Sequence, residues 1–442
     1  MRITEIAVEG LFGLFTHRVE LCDRPRITIV HGPNGVGKTA LLTMTRAACA
    51  GDWGVLRGMP FKEFTLSFDD NRRLQVKRAT DGAKPVESYP LRVRLLGSNK
   101  PVIEIPGIPS MTDLPLLPAL IEDLAPELDQ VGPSSWRNRR TSAVLDWPQV
   151  FDRYGAALGL APAAEEYLKP WLAELQHGLS VRLISTDRLW NSRPPMRAMR
   201  SRAREPRRAN GASVRMYSAD LSVRIRETLA VYAERSQQLE RTFSKRLLSE
   251  IARAKRVNLG SVITAINAVE AKRSRLMKAG LLDNEEDFSP IGASQVLTEP
   301  VLKILRLYAE DGREKLSVFD ELLERVELLI RLVDSKFLAN RFSVGKDGFE
   351  VTAGSGQPLP IENLSSGEQH EVVLTYELLF LTPADSLVLI DEPELSLDIA
   401  WQRDFTSDLV GITELGGFDV MIATHSPQVV GRYRNQLVEL HV

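Results

Sequence analysis

The sequence is poor in cysteine, and its two cysteines, Cys22 and Cys49, are too few for a disulfide framework. No stretch approaches the roughly 18 apolar residues of a membrane-spanning helix. Charges at Arg2 and Glu5 interrupt the N-terminus where a signal peptide needs an apolar run. The net charge is only −2, so global charge favours neither nucleic acid nor a membrane as a partner. We therefore expect a soluble, cytoplasmic protein with no membrane partner.

What is present is the composition of an ordinary globular protein, with 442 residues of which 43% are hydrophobic and 26% charged. This length exceeds the size at which a single core usually keeps growing, so we expect two or more structural units. Residues 2–32 alternate as strands do and end at a glycine-rich turn before an apolar helical run, residues 41–50. Residues 64–68 and 74–77 flank a polar tetrad and predict a hairpin.

The middle of the chain changes character twice. Prolines are dense over residues 97–147, which predicts loops and short helices, and a helical stretch then precedes a strand at residues 181–184. Two apolar seams with spacings of three and four residues run through residues 225–243 and 301–337. They fit either an antiparallel helical arm of about 60 Å or a compact helical lobe, and the sequence leaves both open.

Residues 188–208 form the one strongly basic segment, with eight arginines against the single acid Glu205. Trp190 and Tyr217 lie near its ends, where aromatic rings can stack on nucleic acid bases. A solvated loop without a ligand, a contact with nucleic acid phosphates and a contact with an acidic protein all fit this composition. The segment is a candidate DNA contact.

Residues 32–39 read GPNGVGKT and fit the phosphate-loop pattern G-x-x-x-x-G-K-[ST] between a predicted strand and a predicted helix. Glycines let backbone N–H groups approach phosphates, and the helix N-terminus adds the positive end of a dipole. We expect Lys38 to contact the β- and γ-phosphates and Thr39 to ligate Mg²⁺. The nucleotide-binding residues predicted in this loop are Gly32, Asn34, Gly35, Val36, Gly37, Lys38, Thr39 and Ala40.

Residues 387–392 read LVLIDE, which places two carboxylates at the carboxyl end of a buried strand. We expect Asp391 to hold Mg²⁺ and Glu392 to polarise an attacking water, because an acid committed to the metal is a poor base. A buried strand that simply ends in acidic residues is the alternative. The six histidines show no metal-ligand spacing, so no other metal is expected.

Two shorter patterns are weak by themselves. Residues 364–369 read LSSGEQ before a helical run, and they fit either an anion-binding turn or an ordinary helix N-cap at Ser365 or Ser366. His425 follows a predicted strand at residues 419–424, where an imidazole can donate to a phosphate oxygen, although a lone histidine is more often structural.

In this order, however, the segments resemble the head of the ABC ATPase superfamily, in its SMC/RecF/OLD-like branch. GPNGVGKT resembles Walker A, LSSGEQ the ABC signature, LVLIDEP Walker B, ELSLD at residues 394–398 the D-loop, and ATHSP the switch-histidine strand. The resemblance implies catalytic roles for Lys38, Glu392 and His425. It also implies that Ser365, Gly367 and Asp398 join the nucleotide-binding residues, with Ser365 and Gly367 acting on the nucleotide of a second copy. The family's Q-loop glutamine has no clear match, and no aromatic residue stands out for stacking on adenine.

The implied fold is α/β: an ABC-type P-loop NTPase head, with a β-rich lobe and an α/β lobe, that carries an inserted helical, coiled-coil-like lobe. We expect the head at residues 1–96 and 341–442, a proline-rich and helical insertion with the basic segment at residues 97–216, and the helical lobe at residues 217–340. The long span between Lys38 and Leu364 is typical of this branch and disfavours a transporter ATPase.

The resemblance further implies an ATPase that uses ATP and Mg²⁺ and forms a homo-oligomer, at least a head-to-head dimer. Stand-alone ATPases of this branch resemble the ATPase subunits of anti-phage systems such as Septu and PARIS. This suggests a switch in defence or DNA repair whose effector, such as a nuclease, is a separate protein. The alternative is a RecF-like or SMC-like clamp in which residues 188–208 grip DNA.

The clamp alternative predicts a steep dependence of DNA affinity on salt. Replacing Arg200, Arg202, Arg204, Arg207 and Arg208 with alanine should remove up to five phosphate contacts and flatten the slope of log affinity against log salt by about 4. Fluorescence anisotropy with a duplex at several salt concentrations measures this slope, and Arg92→Ala serves as the control. A slope that does not change would exclude the clamp.

Overall fold

A computed structural model describes residues 1–78, 88–109, 111, 114, 116–139, 141–155, 157–159, 178–184, 209–252, 257–283, 298–395 and 399–441. The chain forms two units. The first unit comprises Met1–Leu189 with Thr382–Val442, and the second unit comprises Trp190–Leu381. The boundaries predicted at residues 96, 216 and 340 are not tested by this division and stay predictions.

The described strands of the first unit form three sheets. They are Ile3–Leu11 (β1), Phe15–Glu20 (β2), Ile27–His31 (β3), Glu63–Phe68 (β4), Arg73–Arg78 (β5), Leu91–Leu96 (β6), Ile103–Ile105 (β7), Leu128–Gly132 (β8), Ser135–Asn138 (β9), Val144–Asp146 (β10), Val181–Ile184 (β11), Leu387–Asp391 (β14), Asp419–Thr424 (β15) and Leu437–Glu439 (β16). The sheet orders are β2-β1-β4-β5-β6-β7, β10-β9-β8 and β11-β14-β15-β3-β16. The expected hairpin is present as β4 and β5.

The described α-helices of the first unit are mostly short. They are Lys38–Ala50 (α1), Trp53–Gly58 (α2), Leu117–Leu124 (α3), Trp147–Tyr154 (α4), Ile399–Gly416 (α10) and Pro427–Val430 (α11). The longest, α10, contacts β15 and β3, while α1 contacts β11, β14 and β15.

The five-stranded sheet is parallel throughout, as the pairs β11–β14, β14–β15, β15–β3 and β16–β3 show. Its central strands are apolar and buried because helices cover a parallel sheet. Alternate residues of these strands, Leu387, Leu389, Met421 and Ala423, share one core cluster with α1. The fold is therefore the predicted α/β class, with the phosphate-loop turn between a buried strand and α1.

The proline-rich region contains more β structure than predicted. The strands β8, β9 and β10 form a small antiparallel sheet within residues 128–146. Its core includes Trp136 and Trp147, whose ring centroids lie 6.2 Å apart, and Trp147 also packs edge-on against Phe151. These strands have only three to five residues, which is too short for a clear alternation pattern. The helical stretch predicted to end near residue 179 lies mostly outside the described residues.

The second unit contains the inserted helices and one hairpin. Its described elements are the α-helices Ala209–Ala252 (α5), Leu259–Lys278 (α6), Glu299–Leu316 (α7), Asp320–Asp334 (α8) and Ser366–Tyr376 (α9), and the predicted hairpin strands Asn340–Gly345 (β12) and Gly348–Ala353 (β13). At 44 residues, α5 is about 66 Å long. A π-helical turn, Glu377–Leu381, continues α9.

The helices α5 and α7 are antiparallel, because ion pairs join Arg235 to Glu314 and Arg246 to Asp311. An aromatic contact lies at the end of this pair, where the ring of Tyr232 on α5 is 5.4 Å from that of Phe319, in the 3-10 turn that follows α7. The sequence did not predict α6, which packs beside α7 and adds a third helix to the two-helix arm. Its buried residues Val262, Ile266, Val269 and Leu276 are spaced by four, three and seven residues, and the charged stretch at residues 270–275 interrupts the pattern.

Candidate active site

The phosphate loop joins β3 to α1 with the geometry that its glycines permit. Gly35 has φ 84° and Gly37 φ 100°, in the left-handed region where a side chain would be strained. The Lys38 side chain is buried, and its Nζ donates to the carbonyl oxygens of Gly32 at 2.8 Å and Pro33 at 3.0 Å. The lysine charge is therefore held by dipoles of its own loop.

The remaining predicted loop residues divide into buried and exposed positions. Gly32, Val36, Gly37 and Ala40 are buried. The side chains of Val36 and Ala40 belong to the core, so only their backbone N–H groups could serve a phosphate. Asn34, Gly35 and Thr39 are exposed.

Thr39 and Asp391 meet although 352 positions separate them, and Thr39 Oγ1 donates to Asp391 Oδ1 at 3.1 Å. Their strands β3 and β14 lie on either side of β15 and end at the same edge of the sheet. Burial raises the pKa of the Asp391 carboxyl, the hydrogen bond from Thr39 opposes this, and the neighbouring Glu392 carboxylate raises it further. The site thus concentrates negative charge beside Lys38.

A hydroxyl and a carboxylate oxygen at this spacing fit Mg²⁺, which takes one or two protein oxygens and completes its shell with phosphates and water. No group of three or more histidine, cysteine, aspartate or glutamate side chains that could hold a metal occurs in the described ranges. The two-oxygen donor set therefore suits a metal that arrives with a nucleotide.

Glu392 and His425 also lie at this edge. Glu392 follows β14 with φ 46°, an uncommon conformation for a residue with a side chain, and its N–H donates to the Ala423 carbonyl at 2.8 Å. His425 follows β15, and its Nδ1 lies 3.8 Å from Glu392 Oε1. Both side chains are partly exposed to solvent, Glu392 to 28% and His425 to 42%.

Sequence reasoning assigned no individual role to Glu394, which the structure places between the two strand ends. Its carboxylate accepts from Thr424 Oγ1 at 2.8 Å and from the His425 backbone N–H at 2.9 Å, and it lies 3.2 Å from His425 Nδ1. Spacing along the chain gives no sign of this contact, because 31 positions separate Glu394 from His425. It could be inferred only by expecting the two predicted strands to lie side by side.

Two residues of the first hairpin were also missed. His17 is buried, stacks on Phe15 and makes a hydrogen bond of 2.8 Å from Nε2 to the carbonyl of Val36 in the phosphate loop. Phe12 is 43% exposed, and its ring would lie 3.8 Å from a Cβ added to Gly37. An exposed aromatic ring beside the phosphate loop is a surface on which a base can stack.

The signature residues belong to the second unit. Ser365 caps α9 in a reciprocal capping box, in which Ser365 Oγ accepts from the Glu368 N–H at 3.3 Å and Glu368 Oε2 accepts from the Ser365 N–H at 2.9 Å. Ser365 is therefore the helix N-cap that the sequence offered as one interpretation. Both Ser365 and Ser366 are exposed. Gly367 lies in the first turn of α9.

Several predicted residues lie outside the described part of the chain. They are Asp398 of the D-loop and the whole basic segment, residues 188–208. The expectation that Tyr217 could stack on a base is wrong, because Tyr217 is buried, stacks on Tyr376 and donates to Glu377. It is a core residue of the second unit.

Comparison with known families gives a match over residues 121–431, more than half of the chain, to the family described as "AAA domain, putative AbiEii toxin, Type IV TA system". The chain belongs to this family. Family membership and the P-loop topology together support ATP binding and hydrolysis by this AAA-domain protein, and the family implies a nucleotide and typically Mg²⁺ as ligands. No curated protein sequence gives a significant match.

Solved structures similar to the ATPase include SMC head domains. The head from Pyrococcus furiosus, with an extended coiled coil and bound to the C-terminal domain of ScpA, is 12% identical, with 99% of this chain and 93% of that chain covered and a TM-score of 0.32. The head from Thermotoga maritima is 11% identical, with coverages of 99% and 94% and a TM-score of 0.34. Similarities at this level carry no conclusion about the chemistry or partners of this chain.

None of the helices in the described part of the ATPase combines the length and apolar composition that a bilayer crossing requires.

The burial of the Asp391 carboxyl beside other carboxylates predicts that Asp391→Asn stabilises the nucleotide-free protein. Because the pKa of Asp391 is raised in the folded chain, the folded state binds the proton more readily, and the wild type loses stability as the pH rises through that pKa. The melting temperature of the variant should exceed that of the wild type by a few degrees at pH 7, and the gap should shrink towards about pH 4. Thermal scans without nucleotide measure the gap.

The exposed Asp404 on α10 provides the matched control, and Asp404→Asn should leave the melting temperature unchanged at each pH. An Asp391→Asn protein that is less stable than the wild type at neutral pH would contradict this description of the site.

Proposed function

We propose that this protein is an ATP-hydrolysing switch whose heads dimerise around ATP and thereby control a partner effector in the cytoplasm. The observation that carries the proposal is that five side chains meet at one edge of the parallel sheet: Lys38, Thr39, Asp391, Glu392 and His425. Thr39 Oγ1 lies 3.1 Å from Asp391 Oδ1, and His425 Nδ1 lies 3.8 Å from Glu392 Oε1. Phosphoryl transfer needs positioning and charge stabilisation more than covalent chemistry, and these residue types supply both.

Each side chain has a distinct proposed task. Lys38 exchanges the carbonyl dipoles of its loop for the β- and γ-phosphates, which attract its charge more strongly. Mg²⁺ held by Thr39 and Asp391 would neutralise charge on the same phosphates. Glu392, which is partly exposed and lies outside that ligand pair, orients the attacking water and accepts its proton. His425 donates to the γ-phosphate oxygen on which charge develops.

The signature helix supports the proposed dimer. The first turn of α9 presents the exposed Ser365 and Ser366 and the N–H groups of a helix N-terminus, which favour an anion. We propose that Ser365 and Gly367 bind the γ-phosphate held by a second copy, and that Asp398 joins that interface. The exposed Phe12 is our candidate for stacking on adenine.

The effector and its pathway are proposed from the description of the family. The family description names a toxin of a type IV toxin–antitoxin system, which favours a role in defence over one in DNA repair. We propose that a nuclease or toxin, encoded nearby, is held inactive or activated by the ATP-dependent dimer. Co-purification of that neighbour with the ATPase, dependent on ATP, tests this part of the proposal.

The assignment predicts opposite behaviour for two variants. Glu392→Gln should bind ATP with the affinity of the wild type, turn over at least about 100-fold more slowly, and accumulate as an ATP-bound dimer, because water activation is lost while the phosphate contacts remain. Lys38→Ala should lose ATP affinity and stay monomeric. Phosphate release, titration with a fluorescent ATP analogue and light scattering measure the three properties. Wild-type turnover by Glu392→Gln would exclude Glu392 as the base.

A further inference from the structure

The carboxylate of Glu394 is one of the least exposed acidic groups near the strand ends, with only 7% of its side chain accessible. All of its described donors belong to the end of β15 and the residue that follows it. Thr424 Oγ1 donates to Oε2 at 2.8 Å, and the His425 backbone N–H donates to Oε1 at 2.9 Å. The same Oε1 lies 3.2 Å from Nδ1 of the His425 ring.

The backbone of Glu394 is fixed as well. Its carbonyl accepts from Gln402 Nε2 at 3.1 Å, and Gln402 Oε1 in turn accepts from Ser426 Oγ at 3.1 Å. Residues on both sides of His425 therefore bond to Glu394 or to its partner on α10. These hydrogen bonds fix the position of the Glu394 carboxylate relative to the imidazole of His425.

Two carboxylates face Nδ1 of His425. Glu394 Oε1 lies 3.2 Å from Nδ1, whereas Glu392 Oε1 lies 3.8 Å from it. If Glu394 were absent, the imidazole would turn to Glu392, the nearest remaining acceptor. That contact would occupy the base and withdraw the ring from the position it has in the structure.

We propose that Glu394 is a positioning residue for ATP hydrolysis: it accepts Nδ1–H of His425, and so holds the imidazole away from Glu392 with Nε2 available to the γ-phosphate. This rests on the proposed function, because it takes His425 as the phosphate contact and Glu392 as the base. The effect of Glu394 on hydrolysis is exerted through His425.

A double-mutant cycle on the full-length protein tests the coupling. Glu394→Ala should lower kcat by about 10- to 100-fold, and the dissociation constant for ATP should change less than about threefold, because the phosphate loop is intact. Glu394→Gln should recover part of the loss, since its amide oxygen can still accept Nδ1–H. Glu414→Ala, which removes an exposed acid from α10, should behave as the wild type.

The decisive variant combines Glu394→Ala with His425→Ala. If Glu394 acts through the imidazole, the double variant should be no slower than His425→Ala alone, whereas a merely structural role would make the two losses multiply. Multiplicative losses, or wild-type kcat in Glu394→Ala beside a slow His425→Ala, would overturn this proposal alone. Wild-type kcat in His425→Ala would overturn the proposed role of His425 together with it.

Discussion

The site depends on one geometric constraint, which is that parallel strands end at the same edge of their sheet. In the order β14-β15-β3, the carboxyl ends bring the phosphate loop, the two acidic residues and the histidine together from opposite ends of the chain. The register pairs Asp391 with Ala423 and Thr424 with His31, so the residues that follow each strand start level with one another. The second unit is inserted between β11 and β14 without disturbing this edge.

The electrostatics of this edge favour a ligand that carries both signs of charge. Burial raises the pKa of Asp391, the carboxylates of Glu392 and Glu394 raise it further, and among the described residues Lys38 supplies the opposing charge. Lys38 Nζ donates to the carbonyl oxygens of Gly32 and Pro33 in its own loop. A nucleoside triphosphate with Mg²⁺ carries both signs of charge, because its phosphates attract the lysine and its metal ion attracts the carboxylates.

The sequence predicted those elements whose pattern lies within a short stretch of the chain. A strand, a glycine turn and a helix start are encoded within residues 27–50, so the phosphate loop was found, and the hairpins and the buried strand before Asp391 were found for the same reason. Glu394 and His17 were missed because their partners are set by strand adjacency rather than by spacing along the chain. The strands around Trp136 are too short to show a periodicity, and charged residues interrupt the apolar pattern of α6 between Val269 and Leu276.

The central claim is that one nucleotide site needs residues from two copies, and mixing two inactive variants tests it most directly. Lys38→Ala removes the phosphate contact, and Gly367→Asp places an acid in the first turn of α9, where the helix tolerates it but a phosphate would be repelled. If the site is shared, a mixture of the two should form one intact site per heterodimer and recover up to about a quarter of the wild-type ATPase activity. A mixture no more active than either variant alone would contradict the account.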